Sequence, residues 1–180
     1  MKIDRASSQR AIERGEYQKA IDSFGEVEVA GTGLFSLGAS DRMKRRGEAL
    51  QRRIDLLVSI ARVRLAREQM SPAAAAAGYF LESEYWSISD LKKKDPEDPW
   101  FRELKADWNA LRGGKHRQRA LVDLARLESR DLIPDPYGWA LLAWMRGLAG
   151  DGAGRDRALA RCKQMAADPA RCDWAIAPAT

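Results

Sequence analysis

The chain contains a single histidine and only two cysteines among 180 residues. Imidazole and thiolate groups supply most zinc ligands and many catalytic bases and nucleophiles. His116 has no Asp or Cys at metal-ligand spacing, and Cys162 has no histidine near it in the sequence. Carboxylate pairs such as Glu82 and Glu84 lack a recognisable second catalytic group. We therefore expect no catalytic residue, no metal and no cofactor, and we do not expect an enzyme.

Long hydrophobic runs are also missing. The most apolar long stretch, residues 54–66, is interrupted by charged side chains, and the first five residues are too polar for a signal peptide. We expect no membrane span and a cytoplasmic location, or a periplasmic one if an export signal has been removed. In the cytoplasm, Cys162 and Cys172 are expected to be unpaired, whereas an oxidising compartment would allow them to pair.

Sequence patterns typical of β-strands are nearly absent, whereas patterns typical of helices occur along most of the chain. Five apolar residues between Leu50 and Leu65 recur in steps of three and four, which puts them on one helical face. A capping residue followed by proline marks helix starts at Ser71, Asp98, Asp135 and Asp168. The predicted helices span residues 5–14, 16–28, 41–70, 72–93, 99–112, 115–129, 136–149 and 153–167.

This pattern predicts one all-α domain over residues 1–180, built from antiparallel helical hairpins. Its predicted parts are a first hairpin (1–30), a Gly-rich loop (31–40), a long hairpin (41–94), two further hairpins (95–134 and 135–169) and a tail (170–180). A high ratio of arginine to lysine is typical of a GC-rich bacterial genome.

Several segments resemble the tetratricopeptide repeat family, in which two-helix units carry small and aromatic residues at fixed positions. The segment from Gly15 through Tyr17 and Ala20 to Phe24 resembles the family's turn and second helix. Trp139 to Ala143 with Gly150 resembles a first helix and its turn, and the second helix continues with Ala158, Cys162 and Pro169. The resemblance implies a short solenoid of stacked hairpins. A non-repeating helical bundle is the alternative.

The resemblance also implies a concave groove lined by the first helices of the hairpins. Its partner-binding residues in this sequence would be Arg102, Lys105, Asn109, Arg112, Tyr137, Leu141 and Trp144. Lys105 and Asn109 are similar to the pair with which some family members hold a peptide carboxylate, although the second basic pair of those members is missing here. The expected partner is an acidic or partly apolar peptide or helix of another protein.

Positive charge is unevenly distributed along the chain, which carries a formal net charge of +5. Residues 42–67 contain nine Arg or Lys side chains against two acidic ones, and residues 112–119 form a second basic cluster. Contact with phosphates needs only well-placed cations. The candidate nucleic-acid-binding residues are Arg42, Lys44, Arg45, Arg46, Arg52 and Arg53.

Together these patterns predict a non-catalytic adaptor, scaffold or chaperone-like subunit that binds another protein. The alternative is a basic helical subunit of a nucleoprotein complex. The dependence of binding on salt concentration distinguishes the two predictions, because binding to phosphates weakens steeply as the salt concentration rises.

Overall fold

The computed structural model describes residues 10–12, 14, 16–22, 41–69, 88–89, 92–93 and 95–176. The regular structure of these residues is helical, without a strand, as the sequence predicted. Within this part of the chain, no helix combines the length and the apolar character that a bilayer span requires. The Gly-rich loop at 31–40, the stretch at 72–87 and the last four residues of the tail lie outside the described residues, as does much of the first hairpin.

Among the described residues, five α-helices and one 3₁₀ helix have defined bounds. They are α1 (Asp41–Gln69), α2 (Pro99–Arg112), α3 (Gly114–Glu128), α4 (Pro136–Leu148), α5 (Gly152–Met165) and the 3₁₀ helix (Pro169–Ile176). The α-helix bounds agree with the sequence predictions within two residues. Asp168 was predicted to start a helix, although none was given bounds in the tail, and the tail contains most of the 3₁₀ helix.

Three of the four capping residues that precede a proline lie in the described residues. All three are aspartates, and each caps its helix. The side chain of Asp98 accepts from the amides of Trp100 and Phe101. Asp135 accepts from the amide of Gly138, and Asp168 accepts from the amide of Ala170. A proline follows each aspartate at a position where a missing N–H loses no helical hydrogen bond.

Helix α2 separates two clusters of buried side chains. On one face, Phe101, Leu104 and Trp108 pack with α1 and with the N-terminal helical stretches. On the other face, Ala106 and Ala110 pack with α3, α4 and α5. Small residues on this second face allow neighbouring helices to approach closely.

Cys162 of α5 and Cys172 of the 3₁₀ helix form a disulfide bond, with their Cα atoms 6.1 Å apart. The expectation of unpaired thiols is therefore wrong. The sequence left undetermined whether the chain turns back after Pro169. In the structure it does so, because the 3₁₀ helix packs on both α4 and α5.

Candidate binding site

A buried ion cluster lies where α1, α2 and the start of α4 meet. Arg64 donates through Nη1 to Oδ2 of Asp135 at 2.7 Å and through Nη2 to Oε1 of Glu103. Each of the three side chains is only 2% exposed. Because each comes from a different part of the chain, the cluster fixes these three elements relative to one another.

The cluster brings two carboxyl groups to one guanidinium. Burial opposes the charge of Arg64, but Asp135 and Glu103 outweigh it and hold the pKa of the guanidinium well above its usual range. Burial, and next the charge of Asp135, raises the pKa of Glu103 well above its usual range. Oε2 of Glu103 is buried and has no hydrogen-bond partner among the described residues. A neutral carboxyl group tolerates such a position better than a carboxylate does.

Tyr137 connects this cluster to a cavity. The guanidinium of Arg64 lies 4.1 Å from the centroid of the Tyr137 ring. The Tyr137 hydroxyl donates to Oδ2 of Asp107 at 3.0 Å. Gly138, the next residue, leaves room for Glu103, because a Cβ atom there would lie 2.7 Å from its carboxyl carbon. The Tyr137 ring is thus fixed by the Arg64 guanidinium against its face and by the hydrogen bond from its hydroxyl group to Asp107.

The cavity has a volume of about 720 Å³. Its walls come from the N-terminal stretch, from α1, from α4 and from the end of α5 with the 3₁₀ helix. Lining side chains include Tyr17, Arg64, Tyr137, Trp144 and Trp174, and the disulfide bond also contributes to the wall. Pockets of this volume accommodate small ligands or the side chains of a peptide.

Aromatic rings form much of the cavity wall. The ring centroids of Tyr137 and Trp174 are 5.4 Å apart, and those of Trp144 and Trp174 are 6.5 Å apart. Both pairs are tilted, which is a favourable arrangement for aromatic rings. Trp174 therefore connects the 3₁₀ helix to two of the three aromatic residues of α4, Tyr137 and Trp144.

The charges in the described lining balance. Its cations are Arg14, Arg64 and Arg171, and its carboxylates are Glu16, Asp135 and Asp168. Arg14 lies 3.1 Å from Glu16, and Arg64 is paired with Asp135. A cavity of this kind favours apolar and aromatic groups over a strongly charged small molecule.

Of the residues predicted to line a groove, Tyr137 and Trp144 line this cavity together. Leu141 is completely buried in the core and Asn109 is only 6% exposed, so neither is placed to contact a partner. Leu141 is enclosed because α4 is covered on most of its sides. The burial of Asn109 likewise removes the Lys105 and Asn109 pair as a carboxylate clamp.

The predicted cationic residues of α2 lie outside the cavity lining. Arg102 pairs with Glu97, and Lys105 lies 3.6 Å from Asp123. Arg112 is exposed, and its guanidinium lies 4.6 Å from the centroid of the Trp108 ring. The structure therefore does not place the cationic strip and the aromatic residues in one groove.

On α1, the candidate nucleic-acid-binding residues fall into two groups. Arg45 and Arg52 are exposed, whereas Arg53 is partly buried and lies 3.6 Å from Asp98. Arg53 also lies 5.2 Å from the centroid of the Trp100 ring. The side chains of the other three residues lie outside the described part of the structure: Arg42, Lys44 and Arg46.

Sequence reasoning missed the residues that build the site. Arg64 follows Leu57 by seven residues, which places it on the apolar face of α1, and a charge on such a face requires a buried partner. That signal was available in the sequence. No comparable signal marked Trp174, because its position depends on how the chain folds after Pro169.

No protein-family model, no curated protein and no solved structure matches the chain. Among the described residues, no three His, Cys, Asp or Glu side chains are grouped to hold a metal ion. A function for the chain therefore has to be inferred from the geometry of the cavity and of its charged surroundings.

Proposed function

We propose that the chain is a non-catalytic adaptor or scaffold subunit that binds a segment of another protein. The aromatic cavity between the N-terminal stretch, α4 and the 3₁₀ helix receives apolar or aromatic side chains of that segment. The observation that carries the proposal is the cavity itself, which has aromatic walls and balanced charges.

Two features support a preformed site. Tyr137 is held by Arg64 and Asp107, and Trp174 is fixed near the disulfide bond at Cys172. Side chains that are already ordered lose less conformational entropy when a partner binds. The cavity therefore offers rigid apolar surface to an incoming side chain.

A tetratricopeptide-like stack of hairpins is part of the same proposal. Helix α4 contacts both helices of the preceding hairpin, α2 and α3. Contact of this kind is expected when one hairpin packs on the next, since each covers the apolar face of its neighbour. Buried alanines such as Ala120, Ala143 and Ala158 allow the close approach that such packing needs.

The proposal is tested by selecting a phage-displayed library of random short peptides on the wild-type protein. We expect the selected peptides to share an aromatic or large aliphatic residue. Ala167 is exposed and lies at the cavity wall. The variant Ala167→Trp is designed to fill the cavity with a large side chain. The peptides should bind this variant at least about tenfold more weakly, because burial of one large apolar side chain contributes about 1.5–3 kcal/mol.

Ala160→Trp is the matched control, because Ala160 is exposed on α5 and is not among the cavity-lining residues. Selected peptides should bind the control variant as they bind the wild type. Failure to enrich any peptide, or equal binding to both variants, would contradict the proposal.

Nucleic-acid binding along α1 is retained as the alternative proposal. Its support is the exposure of Arg45 and Arg52 on this helix. It predicts affinity for an oligonucleotide that falls steeply with salt and that is lost when both arginines are replaced by glutamate.

A further inference from the structure

Beside the cavity, a basic surface lies at the turn between α2 and α3. We call it the basic turn, and its residues are Arg112, Lys115, Arg117 and Arg119. The turn itself consists of Gly113 and Gly114, whose φ angles of 69° and 51° are readily adopted only by glycine. This tight connection places the last residue of α2 beside the first turns of α3.

The cations of the basic turn have no carboxylate partner within 4 Å among the described residues. In contrast, carboxylates pair with Arg102, Lys105, Arg146 and Lys163 elsewhere on α2, α4 and α5. Lys115 and Arg119 are both exposed and are four residues apart, so they share one face of α3. The surface therefore carries positive charge that the described part of the chain does not neutralise.

His116 lies within this surface, beside three of its cations. Loss of solvent lowers the pKa of His116 below 6.5, and the nearby charges of Arg112, Arg119 and Lys115 lower it further. A cation next to other cations is disfavoured, which is the sign expected for a site of positive potential.

One cation of the basic turn, Arg117, reaches the cavity wall at Trp144. The guanidinium of Arg117 lies 5.3 Å from the centroid of the Trp144 ring, and Trp144 lines the cavity. A chain that places a side chain in the cavity therefore lies close to the guanidinium of Arg117.

From these observations we propose that the basic turn binds an acidic segment of a protein partner. The inference rests on the proposed function in one respect, namely that the partner is a protein whose neighbouring residues enter the cavity. Carboxylates of the partner would supply the counter-charges that the described part of the chain does not place here.

The aromatic residues near the basic turn favour a peptide over single-stranded nucleic acid. Proteins that bind single strands present aromatic rings on which bases stack. Here Arg112 lies over the Trp108 ring, which is only 8% exposed. This ring is therefore not open for a base to stack on.

The test measures fluorescence anisotropy of fluorescein-labelled hexaglutamate, with hexaglutamine as the uncharged comparison. Lys115→Glu combined with Arg119→Glu should weaken hexaglutamate binding at least about tenfold, because attraction is replaced by repulsion. The matched control is Lys92→Glu with Lys93→Glu, which makes the same change in net charge at two exposed lysines far from the turn in sequence. The control should weaken binding less than about threefold.

A second readout locates the bound peptide. The chain has one histidine, so the Cε1 proton of His116 gives a unique NMR signal. Bound glutamates should raise the pKa of His116, because their charge offsets the neighbouring cations. Hexaglutamate binding that leaves this pKa unchanged would overturn the proposal, as would equal weakening in both double variants.

Two further measurements distinguish peptide binding from phosphate binding and from binding in the cavity. Tighter binding of a short labelled oligothymidylate than of hexaglutamate, with loss in the Lys115→Glu and Arg119→Glu variant, would overturn the peptide proposal in favour of phosphate. Hexaglutamate has no apolar side chain, so Ala167→Trp should bind it as the wild type does. The hexaglutamate measurement therefore tests the basic turn even if the cavity does not bind a peptide.

Discussion

At the scale of single residues, the two carboxyl groups around Arg64 differ in role. Asp135 pairs with Arg64 through Oδ2 and caps α4 through Oδ1. Glu103 has one oxygen on Arg64 and one without a partner among the described residues. Burial and the charge of Asp135 raise the pKa of Glu103, the attraction of Arg64 lowers it by less, and Asp107 raises it slightly further.

Glu103 is therefore expected to make stability depend on pH. Its ordinary pKa is 4.5, and in the folded protein it keeps its proton to higher pH. As pH rises from about 4.5 through the folded-state pKa, the free energy of unfolding should fall, by at most about 1.4 kcal/mol per pH unit. Glu103→Gln should lose this slope and exceed the wild type in stability at the upper end of the range. Urea unfolding between about pH 5 and pH 8 measures the difference.

The matched control is Glu48→Gln, which removes an exposed carboxylate from α1. Its stability should follow the wild-type dependence on pH. If the Glu103→Gln curve ran parallel to the wild-type curve over the same range, Glu103 would not hold the proton that its burial implies.

At the scale of helices, two Asp-Pro pairs start a helix in the same way but make different tertiary contacts. Asp98 and Asp135 both cap a helix with a following proline. Asp98 is partly exposed at the surface, whereas Asp135 is only 2% exposed and is ion-paired with Arg64. Identical sequence patterns thus lie in environments of very different polarity.

Replacement of each aspartate by asparagine should separate these roles. Asparagine is an equally good capping residue, so Asp98→Asn should change the free energy of unfolding by less than about 1 kcal/mol. Asp135→Asn also keeps the cap but removes a buried charge from Arg64. We expect it to destabilise the protein by about 3–5 kcal/mol, the usual effect of removing one partner of a buried ion pair.

Urea unfolding at a fixed pH compares the two variants directly, and circular dichroism confirms that each remains helical. Equal losses of stability in Asp98→Asn and Asp135→Asn would show that capping alone accounts for both residues. Such a result would contradict the structural importance of the buried cluster.

At the scale of the whole molecule, the disulfide bond holds the end of the described chain against the cavity. Cys162 and Cys172 are separated by ten residues and are almost completely buried. The bond fixes the 3₁₀ helix, and with it Trp174, on α4 and α5. One wall of the cavity therefore depends on a covalent link.

Reduction of this bond should lower the free energy of unfolding by about 2–3 kcal/mol, the value expected for a closed loop of this length. The measurement is urea unfolding of samples equilibrated with and without tris(2-carboxyethyl)phosphine. The double variant Cys162→Ala and Cys172→Ala should resemble the reduced protein and should not respond to the reductant. Coincident unfolding curves for the reduced and oxidised wild type would contradict this expectation.

Much of the secondary structure could be predicted from the sequence, whereas little of the site could. Asp98, Asp135 and Pro99 mark helix starts through contacts within a few residues, which a sequence shows directly. Tyr137 and Trp144 were predicted to contact a partner, and they do line the cavity. Leu141 was assigned to the same face, but its burial depends on α4 being covered by other helices.

The sequence by itself determined the helical character of the described residues and the bounds of α1 to α5, because capping, periodicity and glycine turns act over short distances along the chain. Only the tertiary structure decided that Arg64 meets Glu103 and Asp135, that Cys162 pairs with Cys172, and that Trp174 completes an aromatic cavity. These contacts join distant residues, and local preferences do not specify which distant groups meet.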